Sequence, residues 1–340
     1  MKTATPSMAR AINDRLALDL LLEHGPLTAP QLRTLTGLSR PTVSDLIERL
    51  MAGGLIEVTG EAGEDRRGPN ARLYGLVADR AHVAGVDVRR DAVNVTVADI
   101  TGRVVSEART TIGARADLAA LVAKVVGDAV GRRALDTVVV GAPGLVDPRA
   151  GELVSPNDVP GWRRGTMASV RERFDVPVIL ENEVNLAAVA ELRTGAASGS
   201  EDFVLLWLDD GVGAAIVLGG RLRRGMSGGA GEIGFLDVGG VAFCDLVNSE
   251  VILGLERDEL ARRIARGAFA YATLLDPGLV VLGGTTGHEG GDELAGLVAG
   301  HLRELAPAPT EVRASTVKGN AVLQGAVLTA LDLARDHVFG

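Results

Sequence analysis

The sequence predicts an N-terminal winged helix-turn-helix domain, largely α-helical, followed by a larger α/β part. Between residues 9 and 52, apolar side chains recur at helical spacing and glycines interrupt the pattern. Residues 55 to 77 contain two short strand-like runs on either side of a polar, glycine-containing segment. Beyond residue 82, strand-like and helix-like segments alternate, and this alternation is typical of α/β proteins.

Composition narrows the class of protein. The 340 residues suffice for two or three domains, and the single cysteine excludes an intramolecular disulfide. No uncharged apolar run approaches the ~18 residues of a membrane span, so we expect a cytoplasmic protein that does not contact membranes. The net charge is −9, but the nine basic and nine acidic residues of 1–76 cancel. The acidity of the whole chain therefore does not argue against a DNA-binding segment there.

Three helices are predicted in the first 52 residues. The first spans Ala9 to His24, with apolar side chains on one face. Thr28 with Gln31 three residues later is a capping-box pattern that opens a short second helix, and Gly37 turns the chain out of it. Ser39 caps the third helix. The apolar face of this third helix consists of Val43, Leu46, Ile47 and Leu50.

The order of these helices predicts a DNA-binding motif. Two helices joined by a short turn containing glycine, behind a supporting helix, form a helix-turn-helix pattern. The third helix is then expected to enter the major groove, where short polar groups suit base edges and cations suit phosphates. The predicted DNA-binding residues of this helix are Ser39, Arg40, Thr42, Ser44, Asp45 and Arg49.

A hairpin after the third helix predicts a wing. Leu55–Gly60 and Ala71–Val77 read as strands, separated by the segment "EAGEDRRGPN". Arg66, Arg67 and Arg72 lie on or beside its tip, where cations contact phosphates or the minor groove. The alternative is a helical protein–protein module with a solvated hairpin, which predicts no salt-dependent binding to DNA.

The α/β part divides into two related halves. We predict a winged helix-turn-helix domain at 1–77, a linker at 78–82, a first lobe at 83–195 and a second lobe at 196–340. The last predicted helix, 320–336, is free to pack back on the first lobe. The predicted strands of the two lobes are Val83–Val88, Val93–Asp99, Val104–Thr110, Thr137–Val140, Val178–Glu181, Phe203–Leu208, Ala214–Leu218 and Leu279–Leu282. The predicted helices are 117–130, 166–174, 184–194, 258–273, 292–305 and 320–336.

Five motifs carry a resemblance to a known family. They are "GAPGLVD" (141–147), "SPNDVPGW" (155–162), "ENEVNLAAVAE" (181–191), "SGGAGEIG" (227–234) and "DPGLVVLGG" (276–284). In order and spacing they resemble the ROK family of sugar kinases and sugar-responsive repressors, whose repressor members carry a helix-turn-helix domain ahead of the kinase-like part. The resemblance covers essentially the whole chain. It implies an α/β, two-lobed, actin-like ATPase fold, a sugar site in the cleft between lobes, and a homodimer or homotetramer.

The kinase machinery of the family is altered in this sequence. Phosphoryl transfer needs backbone amides and metal around the phosphates and a base for the accepting hydroxyl. The family's first phosphate loop reads D-x-G-G-T, and residues 87–91 read "DVRRD", with Arg89 and Arg90 in place of glycines. The second loop reads G-T-G-x-G, and residues 209–213 read "DDGVG". Two carboxylates there oppose a polyphosphate, and the segment also fits a tight turn between strands.

The catalytic base of the family corresponds to a longer side chain here. The base is the Asp of an E-N-D-x-N motif, and Glu183 stands at the matching position. Its carboxylate is displaced by about 1.5 Å, and misplacement on this scale can cost about a hundredfold in rate. Together with the altered loops, this substitution predicts a chain that is not an enzyme, with no catalytic residue and no cofactor.

A sugar-binding site is partly retained according to the resemblance. Carboxylates and amides recognise sugar hydroxyls through hydrogen bonds. The candidates at matching positions are Asn157, Asn182, Glu183 and Glu232, with Asp158 nearby. Glu232 equally fits the role of a turn partner within the chain.

The zinc site of most family members is predicted to be lost. Phe235 stands at the position of a family histidine, Leu246 at that of a sugar-binding Glu, and only Cys244 remains of the thiolates. We therefore expect no metal. The segment is instead expected to be held by apolar packing of Phe235, Leu236, Val241, Phe243 and Leu246.

The expected function follows from these resemblances. We expect a DNA-binding transcriptional regulator, a repressor of carbohydrate-related genes, whose kinase-like part senses an effector and dimerises. Its expected partners are a palindromic double-stranded DNA operator and a sugar or sugar derivative. Two alternatives stay open: an ATP-dependent sugar kinase with an attached DNA-binding domain, and a DNA-binding regulator that needs no ligand.

Overall fold

The computed structural model describes residues 6–62, 71–154, 158–306 and 308–340, and no membrane-spanning helix occurs among them. The helices are α1 (Pro6–His24), α2 (Ala29–Thr36), α3 (Arg40–Ala52), α4 (Leu118–Val130), α5 (Thr166–Arg171), α6 (Glu183–Thr194), α7 (Cys244–Val247), α8 (Arg257–Leu275), α9 (Gly284–Leu305) and α10 (Ala321–Phe339).

The strands fall into three larger sheets and one small hairpin. They are β1 (Leu27–Thr28), β2 (Ile56–Ala62), β3 (Ala71–Leu76), β4 (His82–Val88), β5 (Ala92–Asp99), β6 (Val104–Thr111), β7 (Leu135–Ala142), β8 (Val146–Asp147), β9 (Glu152–Leu153), β10 (Val178–Asn182), β11 (Phe203–Leu208), β12 (Val212–Leu218), β13 (Arg221–Leu222), β14 (Leu279–Gly283) and β15 (Glu311–Ala314).

Local capping signals set the boundaries of the N-terminal helices. The capping box predicted for α2 is present, because the Thr28 backbone N–H donates to Gln31 Oε1 at 2.8 Å and the Gln31 N–H donates back to Thr28 Oγ1. Gly37 ends α2 with a left-handed φ of 69°. Ser39 caps α3, and the four apolar residues predicted to face inward are buried.

A three-stranded sheet in the order β1-β3-β2 completes the winged helix. Strands β2 and β3 lie where the sequence predicts them. Strand β1 was not predicted, because two residues are too few to show an alternating pattern. Its Leu27 pairs with Tyr74 of β3 in antiparallel register.

The first lobe contains a five-stranded sheet in the order β10-β7-β4-β5-β6. Helices pack on both faces of this sheet. Successive side chains of β4 point to opposite faces and therefore join different apolar clusters. Ala84 and Val86 join the apolar cluster that includes α4. Val83 joins the cluster that includes α10, and Gly85 lies directly against Val327 of that helix.

The second lobe contains a sheet in the order β13-β12-β11-β14-β15. Helices α8 and α9 share one apolar cluster with it. Helix α6 contacts β11 and β12 as well as α10 and β7, so it packs against both lobes. The long helix α9 contains a break in helical geometry at Gly291, and the sequence predicts only the part of this helix that follows the break.

The C-terminal helix α10 packs against the first lobe although it follows the second lobe in sequence. It contacts α6, β4 and β7, and its far end contacts α1 of the winged helix. The chain segment predicted as a linker forms a short 3-10 turn at Ala78–Arg80, and β4 begins at His82. The winged helix is thus attached to the first lobe by both the connecting segment and α10.

Candidate functional site

The outward side of α3 forms the candidate nucleic-acid interface. Arg40, Ser44 and Asp45 are exposed, and no hydrogen bond from these side chains reaches another described residue. They lie opposite the buried apolar face of the helix. An exposed cation and two short polar groups on one helix side suit phosphates and base edges.

Two predicted contact residues are used to begin the helix. Ser39 Oγ lies 2.8 Å from Thr42 Oγ1, and the Thr42 backbone N–H donates to Ser39 Oγ at 3.4 Å. The Ser39 side chain therefore serves first as an N-cap. Its position at the start of α3 still places it beside any DNA that α3 contacts.

Arg49 is engaged within the winged helix. Its Nη2 lies 2.5 Å from Asp14 Oδ1 and its Nε lies 3.2 Å from Asp14 Oδ2, so the pair is bidentate. Asp14 belongs to α1, and the contact ties α3 to the supporting helix. The predicted role of Arg49 as a phosphate contact is therefore not supported by this geometry, because its donors already face a carboxylate.

The wing is described in part. Arg72 is exposed on β3, opposite Glu61 of β2. Arg66 and Arg67 lie outside the described residues. Sequence reasoning overlooked Arg33, which is exposed in the last turn of α2, beside the turn that leads into α3. A basic residue in the last turn of α2, just before the turn into α3, is the sequence feature that could have predicted this position.

A second candidate site lies in the cleft between the lobes, where β4, β11 and α6 end or begin. Asp87 is fully buried at the end of β4. Arg89 Nε donates to Asp87 Oδ2 at 3.0 Å, and Asn320 Nδ2 donates to the same oxygen at 2.7 Å. The guanidinium of Arg89 thus occupies the region that the resemblance assigns to the first phosphate loop.

Glu183 begins α6 and faces this cluster. Its Oε2 atom is enclosed and has no hydrogen-bond partner among the described residues. Burial, together with the nearby charges of Asp87 and Glu232, raises the pKa of Glu183 to about 7, although the charge of Arg89 acts to lower it. The carboxyl group is therefore poised to change its protonation state near neutral pH.

The segment "DDGVG" is the turn between two antiparallel strands, in agreement with the turn interpretation. Leu208 of β11 pairs with Val212 of β12 across it. Asp209 accepts a hydrogen bond from Thr285 Oγ1 at 3.0 Å, and Asp210 accepts one from Ser249 Oγ at 3.0 Å. Both carboxylates are thus held by hydroxyl groups of the second lobe.

Two small cavities flank this cluster. The first has a volume of about 220 Å³ and is lined by Arg89, Arg90, Asp91, Pro143, Glu183, Trp207, Asp209, Asp210 and Gly211. The second, of about 270 Å³, shares Arg89, Trp207 and Asp209 with the first and extends toward Thr285, His288 and Asn320. Polar and charged side chains predominate in the lining of both cavities.

The remaining residues that were predicted to contact a ligand have different environments in the structure. Asn182 caps α6 by accepting from two backbone N–H groups, and its Nδ2 donates to the Gly144 carbonyl at 3.0 Å. Asp158 pairs with Arg90 at 2.7 Å on the surface. Glu232 is exposed by more than a third, and partial burial raises the pKa of its carboxyl. Asn157 lies outside the described residues.

The glycine-rich segment serves close packing between chain segments. Gly228 and Gly231 have φ values of 87° and 99°, which favour glycine. A methyl group at Gly228 would lie 1.9 Å from the Val146 carbonyl oxygen, and one at Gly231 would lie 2.0 Å from that of Ala214. These glycines bring the segment that carries Glu232 against both lobes.

The expected apolar packing beyond this segment is wrong in two places. Phe235 is 83% exposed and Val241 is 41% exposed. The prediction for Phe243 is confirmed, because this residue is fully buried and its ring lies directly on Gly267 of α8. Leu236 and Leu246 are partly buried against the same cluster. The described residues contain no group of His, Cys, Asp and Glu side chains that could hold a metal.

The protonation of Glu183 gives a testable pH dependence. Its folded pKa lies above the ordinary value of 4.5, so the folded state binds more protons between pH 4.5 and about 7. Stability contributed by this group is therefore lost as pH rises through this window, on the order of 3 kcal/mol. We expect Glu183→Gln to remove this decline, measured by urea unfolding from pH 5 to 8. An unchanged decline would contradict the assignment, and Glu172→Gln, at an exposed position, is the control.

Both parts of the chain are similar to known protein families. Residues 83–249 match the ROK family model, and residues 12–68 match the MarR family model. The xylose repressor of Bacillus subtilis (strain 168) is 25% identical to this chain over 248 residues. The match covers 70% of this chain and 63% of that repressor, so the chain spans less than two thirds of this relative.

Two solved structures are similar over most of this chain. A ROK family transcriptional regulator, a homologue of the Escherichia coli MLC protein, has a TM-score of 0.77 at 18% identity and covers 97% of this chain and 99% of its own. A ROK hexokinase from Thermus thermophilus has a TM-score of 0.65 at 26% identity and covers 75% and 99%. The predicted fold, a winged helix followed by a two-lobed ROK domain, is confirmed.

Proposed function

We propose, from the premise that residues 83–249 belong to the ROK family and residues 12–68 to the MarR family, that the chain is a transcriptional repressor of carbohydrate-related genes. It acts in the cytoplasm as a dimer or tetramer that places two winged helices on a palindromic operator. The ROK part senses a small hydroxylated ligand and has no kinase activity.

The arrangement of α3 supports the DNA-binding half of the proposal. Arg40, Ser44 and Asp45 are directed away from the buried face, and their side chains make no hydrogen bond to another described residue. A second copy of the domain would double the contacts, and the proposal therefore predicts a two-fold symmetric operator. Arg33 and Arg72 add exposed cations beside α3 for phosphate contacts.

The Arg89–Asp87 contact is the observation that carries the non-enzymatic half. In a phosphate-binding loop, bare backbone amides must face the phosphates. Here the Arg89 side chain lies in that region. Its guanidinium donates to the buried carboxylate of Asp87 and is attracted by the neighbouring acidic side chains. Asp209 and Asp210 add negative charge on the opposite side of the cleft, which opposes a polyphosphate.

The acids of the cleft support a hydroxylated ligand. Glu183 has an enclosed oxygen without a partner, and Glu232 has no hydrogen bond to another described side chain. Sugar hydroxyls donate to such carboxylates, and a buried acceptor left without a donor is costly. The named xylose repressor among the relatives makes pentoses and hexoses the first compounds to test.

Footprinting of the purified protein on fragments of its own genome tests the proposal. We expect protected, two-fold symmetric sites near carbohydrate genes, and weaker binding as salt rises, with a slope that reflects several phosphate contacts. The footprint is repeated with D-xylose, D-glucose and N-acetylglucosamine. Absence of protection on every fragment at low salt would contradict DNA binding.

A coupled assay with ATP, Mg²⁺ and the same sugars tests the kinase alternative. We expect no turnover above background. The Arg89 side chain occupies the space of the first phosphate loop, and the two acids of the β11–β12 turn repel a polyphosphate. Turnover near 1 s⁻¹, the lower end typical of enzymes, would favour the kinase. A footprint that none of the sugars alters would favour the regulator that needs no ligand.

A further inference from the structure

Helix α10 connects the two candidate sites, because it begins at the cleft and ends against the winged helix. We propose that α10 is a lever that couples the polar cluster of the cleft to the orientation of the winged helix, and that Arg15 is the residue that positions the domain on it. The inference rests on the proposed function, since a sensing cleft must act on the DNA-binding domain through a physical connection.

The cleft end of α10 is fixed by its N-cap residue. Asn320 Oδ1 accepts from the Leu323 backbone N–H at 2.9 Å, and Asn320 Nδ2 donates to Asp87 at 2.7 Å. The same carboxylate oxygen accepts from Arg89 at 3.0 Å. A ligand that displaces Arg89 or Asp87 therefore acts on the residue at which α10 begins.

The body of α10 is too closely packed to slide. A methyl group at Gly325 would lie 1.8 Å from the Leu186 carbonyl oxygen of α6, and one at Gly85 of β4 would lie 2.8 Å from the Val327 backbone nitrogen. Such contacts hold the helix and its neighbours as one unit. Because α10 is roughly 28 Å long, a small rotation of this unit produces a larger displacement at its far end.

The far end of α10 holds the winged helix. Arg15 of α1 lies 2.9 Å from the Asp336 carboxylate, and its guanidinium lies 5.8 Å from the centroid of the Phe339 ring. Phe339 is buried and belongs to the same apolar core as Leu18 of α1. The Asp336 side chain of this ion pair is exposed, so the pair adds little to global stability. Its main effect is therefore on orientation.

Hydrogen–deuterium exchange in a double-mutant cycle tests the lever in the full chain. Asn320→Ser keeps a capping hydroxyl but is too short to reach Asp87. Arg15→Ala removes the contacts to Asp336 and Phe339, together with the ion pair to Asp19 within α1. We expect Asn320→Ser to change amide exchange in α1 and α3 by about threefold. This change is expected to disappear in the Arg15→Ala background, whereas uncoupled sites this far apart combine within about twofold.

The matched control is Lys124→Ala, which removes an exposed ion pair to Asp128 on α4, away from both ends of α10. Exchange that changes only at the start of α10, or effects of the two substitutions that simply combine, would overturn the lever. The same variants are assayed on a footprinted DNA fragment. A wild-type chain that binds no fragment contradicts the proposed function, while the exchange data still decide the inference.

Discussion

Replacing Arg40 with alanine is expected to weaken operator binding by about 1 kcal/mol in each half-site, or roughly thirtyfold over two half-sites. The reason is that Arg40 is exposed at the start of α3 and no other described side chain engages its guanidinium. Removal of a phosphate contact also lowers the salt dependence of binding, by about one counterion per protomer. Fluorescence anisotropy of a footprinted duplex at several salt concentrations measures both effects.

Two arginine variants serve as controls for this result. Arg49→Ala removes a cation from the same helix, but Arg49 pairs with Asp14, so we expect reduced stability of the winged helix and an unchanged salt slope. Arg303→Ala removes an exposed cation of α9 in the second lobe and is expected to change neither quantity. Equal salt slopes for Arg40→Ala and the wild type would contradict the assignment of Arg40 to the interface.

Replacing Gly325 with alanine is expected to reduce the free energy of unfolding by about 2 kcal/mol or more. The new methyl group would lie 1.8 Å from the Leu186 carbonyl oxygen and 2.4 Å from its carbon. Both atoms belong to the backbone of α6, so the clash is relieved only if a helix moves. Overpacking of this kind typically costs roughly 1 to 3 kcal/mol. This cost exceeds the gain of about 1 kcal/mol from the better helix propensity of alanine.

The matched control is Gly296→Ala in α9. Gly296 is exposed, and a methyl group there would meet nothing within 4 Å. We expect this variant to gain about 0.5 to 1 kcal/mol. Urea unfolding is therefore expected to show a lower free energy of unfolding for Gly325→Ala and a higher one for Gly296→Ala. A neutral Gly325→Ala variant is incompatible with the close contact between α10 and α6.

The parts of the fold that depend on neighbouring residues were predictable from the sequence. Thr28 and Gln31 form the expected capping box, and Ser39 caps α3. Asp117 likewise begins α4 at the predicted position. Capping needs only residues within about one turn of each other, so its signal is local.

The candidate sites were predictable only as positions along the chain. Glu183 was placed at the family's catalytic position, but its raised pKa depends on burial and on the charges of Asp87 and Glu232, which come from distant segments. Asn182 was expected to bind a ligand, and in the structure its side chain caps α6. The sequence pattern does not distinguish these roles, because the same amide can serve either.

The sequence by itself determined the order of the domains and the caps and apolar faces of the N-terminal helices. It also shows Arg89 and Arg90 at positions where the family resemblance leads one to expect glycines. Tertiary structure decided which polar groups are engaged. Arg40 and Arg49 lie on one helix, yet only Arg49 meets an acid, at Asp14, 35 positions away. Phe235 was expected inside and lies outside. Burial and pairing depend on contacts between segments far apart in sequence, and a local pattern carries no information about those distances.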